Sequence, residues 1–134
     1  GFSAGVMARR GWTDFASGSF QSDAYAVDLA KTGLLGDSHR LGLRIAQPLR
    51  VSRGGLGMML PTAYDYSTQS ATSSWTTWSL TPSGREIDTE LSYGSWLWDG
   101  SGWLGGNLYM RRQPGHIADA DSDYGAAVRF TLDF

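Results

Sequence analysis

The residues best suited to chemistry in this chain are few and poorly grouped. Glu86, Asp88 and Glu90 alternate along one short stretch, and neighbouring carboxylates can share acid hydrolysis chemistry. Nothing around them marks a substrate cleft, and on an extended segment all three point to one face. Gly1-Phe-Ser-Ala-Gly5 reproduces G-x-S-x-G, but a nucleophile elbow needs a strand before it and a helix after it. Here a strand pattern follows, which makes the match a coincidence of spacing. His39 and His116 are the only histidines, both in expected loops, with no acidic residue placed to orient either in a triad. Asp119, Asp121 and Asp123 give D-x-D-x-D, like the start of an EF-hand loop. Position six is Tyr124 instead of Gly and position twelve is Phe130 instead of Glu. A solvated acidic loop is expected, with weak Ca²⁺ binding as its functional alternative. No phosphate loop or nucleic-acid module is present. Neither catalysis nor a cofactor is expected of this chain.

Composition points the same way. The 134 residues suit one domain spanning 1–134. Eighteen scattered Gly and no Cys fit many short strands joined by turns, and exclude disulfides and Cys-ligated zinc. The net charge of −2 suggests no polyanion partner, nucleic acid included. Lys31 is the only lysine among 11 basic residues; an arginine-rich set suits fixed, bidentate pairing. Six Trp and six Tyr are many for the length, and both types favour membrane interfaces. No apolar run approaches the ~20 residues of a membrane helix, and no signal peptide is visible. Beginning at Gly1 without an initiator Met, the chain is expected to be a processed or excised piece whose export signal, if any, lay upstream.

The elements that must position these residues are strands. The stretch 124–134 alternates strictly: Tyr124, Ala126, Val128, Phe130, Leu132 and Phe134 share one face, with Gly125, Ala127, Arg129, Thr131 and Asp133 on the other. The same period-two pattern predicts a strand from Phe2 to about Trp12, one over 25–30, and one over 41–51 with Gln47 as its defect. Further strands are expected over 56–66, with Pro61 favouring an edge, bulge or strand end, over 87–97, and over 103–111. Expected joins are a turn at 15–20, a short join near Gly36, a tight turn at Ser52–Gly55, a polar loop at 67–74 before re-entry over 75–82, a hairpin turn at 99–102, and a loop at 112–123. The reading is all-β, an antiparallel meander of about seven strands. Joins of alternating length, apolar outer faces and a polar inner face predict a transmembrane outer-membrane β-barrel. With the C-terminus on the periplasmic side, the join near Gly36 breaks the alternation.

The alternation assigns a charged lumen: Glu86, Asp88 and Glu90 on one strand, Arg111 and Arg129 on its neighbours, Arg44 and Arg50 further round. In a wet lumen these could pair as a ladder. Such a ladder could be a pore or plug-contact surface, or could simply stiffen a polar barrel wall. Trp12, Tyr64, Tyr66, Tyr93, Trp98 and Phe134 fall near strand ends, where interface girdles form; ordinary core aromatics are the alternative.

Val128, Phe130, Leu132 and Phe134 resemble the terminal β-signal of Gram-negative outer-membrane proteins, although Gly125 lies well upstream of the usual Gly. The runs Gly33-Leu-Leu-Gly-Asp37, Arg40-Leu-Gly-Leu-Arg-Ile-Ala-Gln-Pro-Leu-Arg50, Leu80-Thr-Pro-Ser-Gly-Arg-Glu-Ile-Asp88 and Tyr109-Met-Arg-Arg-Gln-Pro-Gly-His116 resemble the C-terminal barrel of autotransporters. The likeness covers about Tyr25 to Phe134 and is greatest to barrels attached to subtilisin-like serine peptidases of alphaproteobacteria. It implies a translocator in the Gram-negative outer membrane that anchors and helps export an N-terminal passenger, the peptidase triad lying in that passenger. Its implied partners are outer-membrane lipid, the barrel-assembly machinery and whatever completes a barrel of about twelve strands. Two other readings stay open: a complete small outer-membrane barrel with a surface or adhesive role, and a soluble lipocalin- or avidin-like ligand-binding barrel.

Overall fold

The computed structural model describes residues 1–133, with backbone only for Leu60 and Thr62. Seven strands form one antiparallel sheet: β1 (Phe2–Phe15), β2 (Gly18–Thr32), β3 (His39–Asp65), β4 (Ser70–Ser79), β5 (Ile87–Leu97), β6 (Gly102–Arg112) and β7 (Asp123–Leu132). Their order is β1-β2-β3-β5-β6-β7, with β4 also paired to β3. The meander is open, since β1 pairs only with β2 and β7 only with β6.

The seven strands are not cut where the periodicity predicts. No turn occurs at Ser52–Gly55; β3 runs through it. The glycines there serve close packing. A side chain at Gly55 would press on the Trp78 carbonyl, and Gly54 takes φ +136 beside Phe20. Gly-Gly is a turn signal only when the chain also lacks strand partners, and here β2 and β4 hold both sides. The expected loop at 67–74 shrinks to 66–69, and β4 begins at Ser70. Its Ser/Thr residues lack apolar periodicity but pair with β3 from Asp65↔Ser70 to Gly55↔Ser79. The first join is likewise tighter than expected, with β1 ending at Phe15 and β2 starting at Gly18. Pro61 stands at the register shift between Pro61 and Ala63, where its missing N–H is tolerated.

β4 and β5 lie end to end along the same edge of β3. Gly55 pairs with Ser79, and Ala46 pairs with Asp88. The crossover 80–86 carries the chain between them, so the sheet has six columns. The join 33–38 therefore falls at the C-terminal end of the sheet, while the two-residue turn between Phe15 and Gly18 falls at the end of the longer joins. Gly1, the join 33–38, the turn 98–101 and Asp133 all gather at one end: Thr32 N–H donates to Gly1 O (2.8 Å), Trp96 N–H to Ser38 O (3.2 Å) and Asp133 N–H to Ser101 O (2.9 Å). At the other end lie the turn 16–17, the crossover 80–86 and the loop 113–122. Beyond them projects the outer part of the β3–β4 hairpin, which β2 accompanies only as far as Leu56.

The sheet has two unlike faces. Across the columns, Phe2, Val6, Leu29, Ile45, Leu91, Leu108 and Val128 lie on one face, and all are exposed. Ala26 is the only buried apolar residue among those described; the other buried side chains, Ser22, Gln47, Glu86, Ser95 and His116, are polar. The polar face bears Asp28, Arg44, Glu90, Asn107 and Arg111 and the largest hollow, about 750 Å³, with another of about 430 Å³; a hollow of about 570 Å³ lies on the apolar face between Leu91, Leu108 and Tyr124. The alternation in sequence therefore marks two surfaces, neither of which packs as an apolar core.

Candidate functional site

The charged residues of the polar face do not form one ladder. Arg44 pairs with Asp28 at 3.2 Å, although Glu90 is its direct neighbour on β5. Glu90 instead accepts a hydrogen bond from Asn107 Nδ2 at 2.9 Å. Arg129 lies opposite Gly105 on the open edge β7 and has no ion-pair partner among the described residues. Arg50 leaves the ladder altogether. Two register shifts between β2 and β3, at Gln21/Ser22 and Asp23/Tyr25, interrupt the alternation between Arg44 and Arg50. Gln47, the one break in the sequence pattern, sits at the second shift. It is fully buried and donates to Asp23 O (3.2 Å) and Asp23 Oδ2 (3.1 Å). A bulge bends a strand and re-aims its side chains, and Arg50 donates to the carbonyls of Gly84 (2.8 Å) and Pro82 (3.2 Å) in the crossover.

What the polar face does assemble is a clasp at its rim. Glu86 precedes β5, and its buried carboxylate accepts from Arg111 Nε (2.9 Å) and Nη2 (2.7 Å) and from Gly115 N–H (2.5 Å). Arg111 also approaches Asp88 (3.7 Å) and Asp123 (3.8 Å). His116 is buried. Its Nδ1 accepts the Glu86 N–H (2.9 Å), so the proton resides on Nε2, which donates to Leu49 O (3.0 Å). Gly84 N–H donates to His116 O (2.7 Å), Arg85 N–H to Gln113 Oε1 (2.8 Å) and Ala118 N–H to Ser83 Oγ (3.0 Å). Left-handed φ values at Gln113, Gly115 and His116 turn the loop back onto the crossover. Burial alone would raise the Glu86 pKa, but the Arg111 guanidinium and the Gly115 amide outweigh it. The carboxyl is held below its ordinary range. The chemistry of the clasp is the satisfaction of backbone groups that two irregular segments would otherwise leave unpaired.

The remaining candidates are dispersed. Gly1–Gly5 lies in the extended edge of the sheet with no elbow at Ser3. His39 Nδ1 meets Tyr93 Oη at 2.5 Å. Asp119 and Asp121 are exposed in the loop while Asp123 faces Arg111, and no group of three acidic or histidine side chains among the described residues is placed to hold a metal ion. Trp98 lies in the turn 98–101 and meets Phe130 edge-on (6.0 Å, 85°). Trp12 is exposed on the apolar side of β1. Tyr64 and Tyr66 stack edge-to-face (4.8 Å) at the tip of the β3–β4 hairpin, beyond the six-column sheet. Val128, Phe130 and Leu132 are exposed along β7, whereas Phe134 lies outside the described residues. On the polar face, Trp103 lies against Gly94 and Gly105, and Tyr109 against Gly125. Alternation could have placed Asp28 and Asn107 beside the ladder. The meeting of 80–86 with 113–118 has no signal in the sequence, because it follows from the end-to-end arrangement of β4 and β5. No family model, curated protein or solved structure matches this chain. No helix is long and apolar enough to cross a membrane, a statement that does not bear on strands.

Proposed function

We propose that the chain is part of the wall of an outer-membrane β-barrel translocator of autotransporter type, which anchors an N-terminal passenger and helps export it. The passenger is a subtilisin-like serine peptidase if the family likeness holds. The observation that carries the membrane reading is the two-sided sheet, with an exposed apolar face running across all six columns and charges on the opposite face, which bears the largest hollow. An exposed apolar surface of this extent needs a partner, and lipid covers such a face without side-chain complementarity. Strands β5, β6 and β7, of 11, 11 and 10 residues, match the ~9–11 residues of a tilted membrane strand. A lipocalin-like barrel would turn its apolar face inward, whereas the largest hollow, about 750 Å³, lies on the charged face. The free edges β1 and β7 would each expose unpaired backbone groups to lipid. The reading therefore requires a further segment or chain to close the barrel, and it makes lipid and the assembly machinery the partners.

The test is extraction and gel mobility. The chain, in the polypeptide that carries it, should fractionate with outer membranes of a Gram-negative host, require detergent for release, and migrate differently before and after heating. A monodisperse protein in detergent-free buffer would sink the proposal.

A further inference from the structure

The polar hollow at the edge of the apolar face is unused by the clasp. We propose that Arg10, Arg53 and Arg85 bind the phosphate of an anionic lipid headgroup. Those three side chains line a hollow of about 320 Å³ together with Gln21, Asp23 and Ser52. They come from β1, β3 and the crossover, and among the described residues none of the three guanidinium groups has a hydrogen-bond or ion-pair partner. Three positive forks against one carboxylate leave an excess of unpaired donors. Guanidinium geometry matches phosphate oxygens bidentately.

Register places the hollow on the apolar side. β1 pairs with β2 without interruption, so Arg10 shares a face with Val6, Ala8 and Trp12, and Gln21 lies directly opposite Trp12. Arg53 is in turn opposite Gln21. Arg50, through its bonds to Pro82 and Gly84, fixes the crossover that carries Arg85. The site lies at the end of the sheet away from Gly1 and Asp133. A ligand seated there would meet guanidinium groups with its head and exposed apolar side chains with its tail. That combination selects a phosphorylated amphiphile over a free anion. The inference rests on the membrane reading, in which this rim faces the cell-surface leaflet.

The test uses the chain within the polypeptide that carries it and closes its barrel, reconstituted into phosphatidylcholine vesicles with and without phosphatidic acid, with bound lipid quantified after gentle detergent extraction. Preferential retention of phosphatidic acid is expected. The Arg10→Gln/Arg53→Gln/Arg85→Gln variant should lose that preference by about tenfold or more. Arg9→Gln, one residue away on the opposite face of β1, should keep it. Equal loss in Arg9→Gln would mean diffuse charge attraction and overturn the site. So would an unchanged preference in the triple variant. Inorganic phosphate that displaces the lipid at comparable concentration would overturn the lipid assignment in favour of free phosphate. A parent polypeptide, barrel-completing segment included, that enters neither vesicle refutes the membrane reading and this site with it, whereas one that enters both without headgroup preference refutes the site alone.

Discussion

Replacing His116 by Ala should open the clasp without disturbing the sheet. The imidazole holds the Glu86 N–H at 2.9 Å and the Leu49 carbonyl at 3.0 Å. Neither contact belongs to the strand ladder. Each neutral hydrogen bond contributes about 1 kcal/mol net, and a buried group left without a partner costs about 1–3 kcal/mol. The two losses together give about 2–4 kcal/mol, toward the lower value if water enters from the rim. His116→Asn retains an acceptor near the position of Nδ1 but cannot reach Leu49, so roughly half the loss should return. Denaturant unfolding in detergent gives the total. Hydrogen exchange locates it: protection should fall at Glu86 and Gly84, whose N–H groups donate to His116, and persist at Leu91 and Leu108 in the sheet. A His116→Ala chain within about 0.5 kcal/mol of the parent, with Glu86 exchange unchanged, would refute the role given to the clasp.

Further outcomes follow from the same geometry. Because the folded Glu86 pKa lies below its unfolded value, its contribution is complete above the ordinary glutamate range and is lost as pH falls through the lowered value; Glu86→Gln should flatten the acid limb of the unfolding midpoint against pH. Arg111→Met should loosen the clasp more than Glu86→Gln does, since it strands a buried carboxylate, and limited proteolysis within 80–86 reads the difference. Gly54→Ala drives a methyl into the Ser19 carbonyl and the Phe20 backbone at a positive φ and should destabilise by about 1–3 kcal/mol. Gly106→Ala meets only the Ala127 carbonyl at 3.5 Å and should be nearly silent in the same unfolding assay. Phe130→Asp and Phe134→Ala should reduce outer-membrane assembly in fractionated cells while Ser70→Ala should not; equal surface levels for all three would remove the role assigned to the terminal strand.

Period-two alternation by itself determined the all-β character, the strand cores over 87–97 and 124–132, and the separation of Leu41, Leu43 and Ile45 from Arg44. A strand has only two faces, so a regular pattern leaves no freedom in where the side chains point. Pro61 signalled an edge, a bulge or a strand end, of which the structure takes the register shift, and Gln47 broke the pattern where the register of β2 and β3 shifts. Tertiary structure decided what local chemistry leaves open. Gly54-Gly55 is compatible with a turn or with close packing between strands, and only the presence of β2 and β4 on either side selected the strand. The Ser/Thr stretch 70–79 pairs through its backbone, to which side-chain polarity is a poor guide. The partners of Glu86, Arg50 and His116 depend on a crossover meeting a loop some 30 residues away, a contact fixed by the end-to-end placement of β4 and β5. The charges were therefore legible as a face, and their pairing was not.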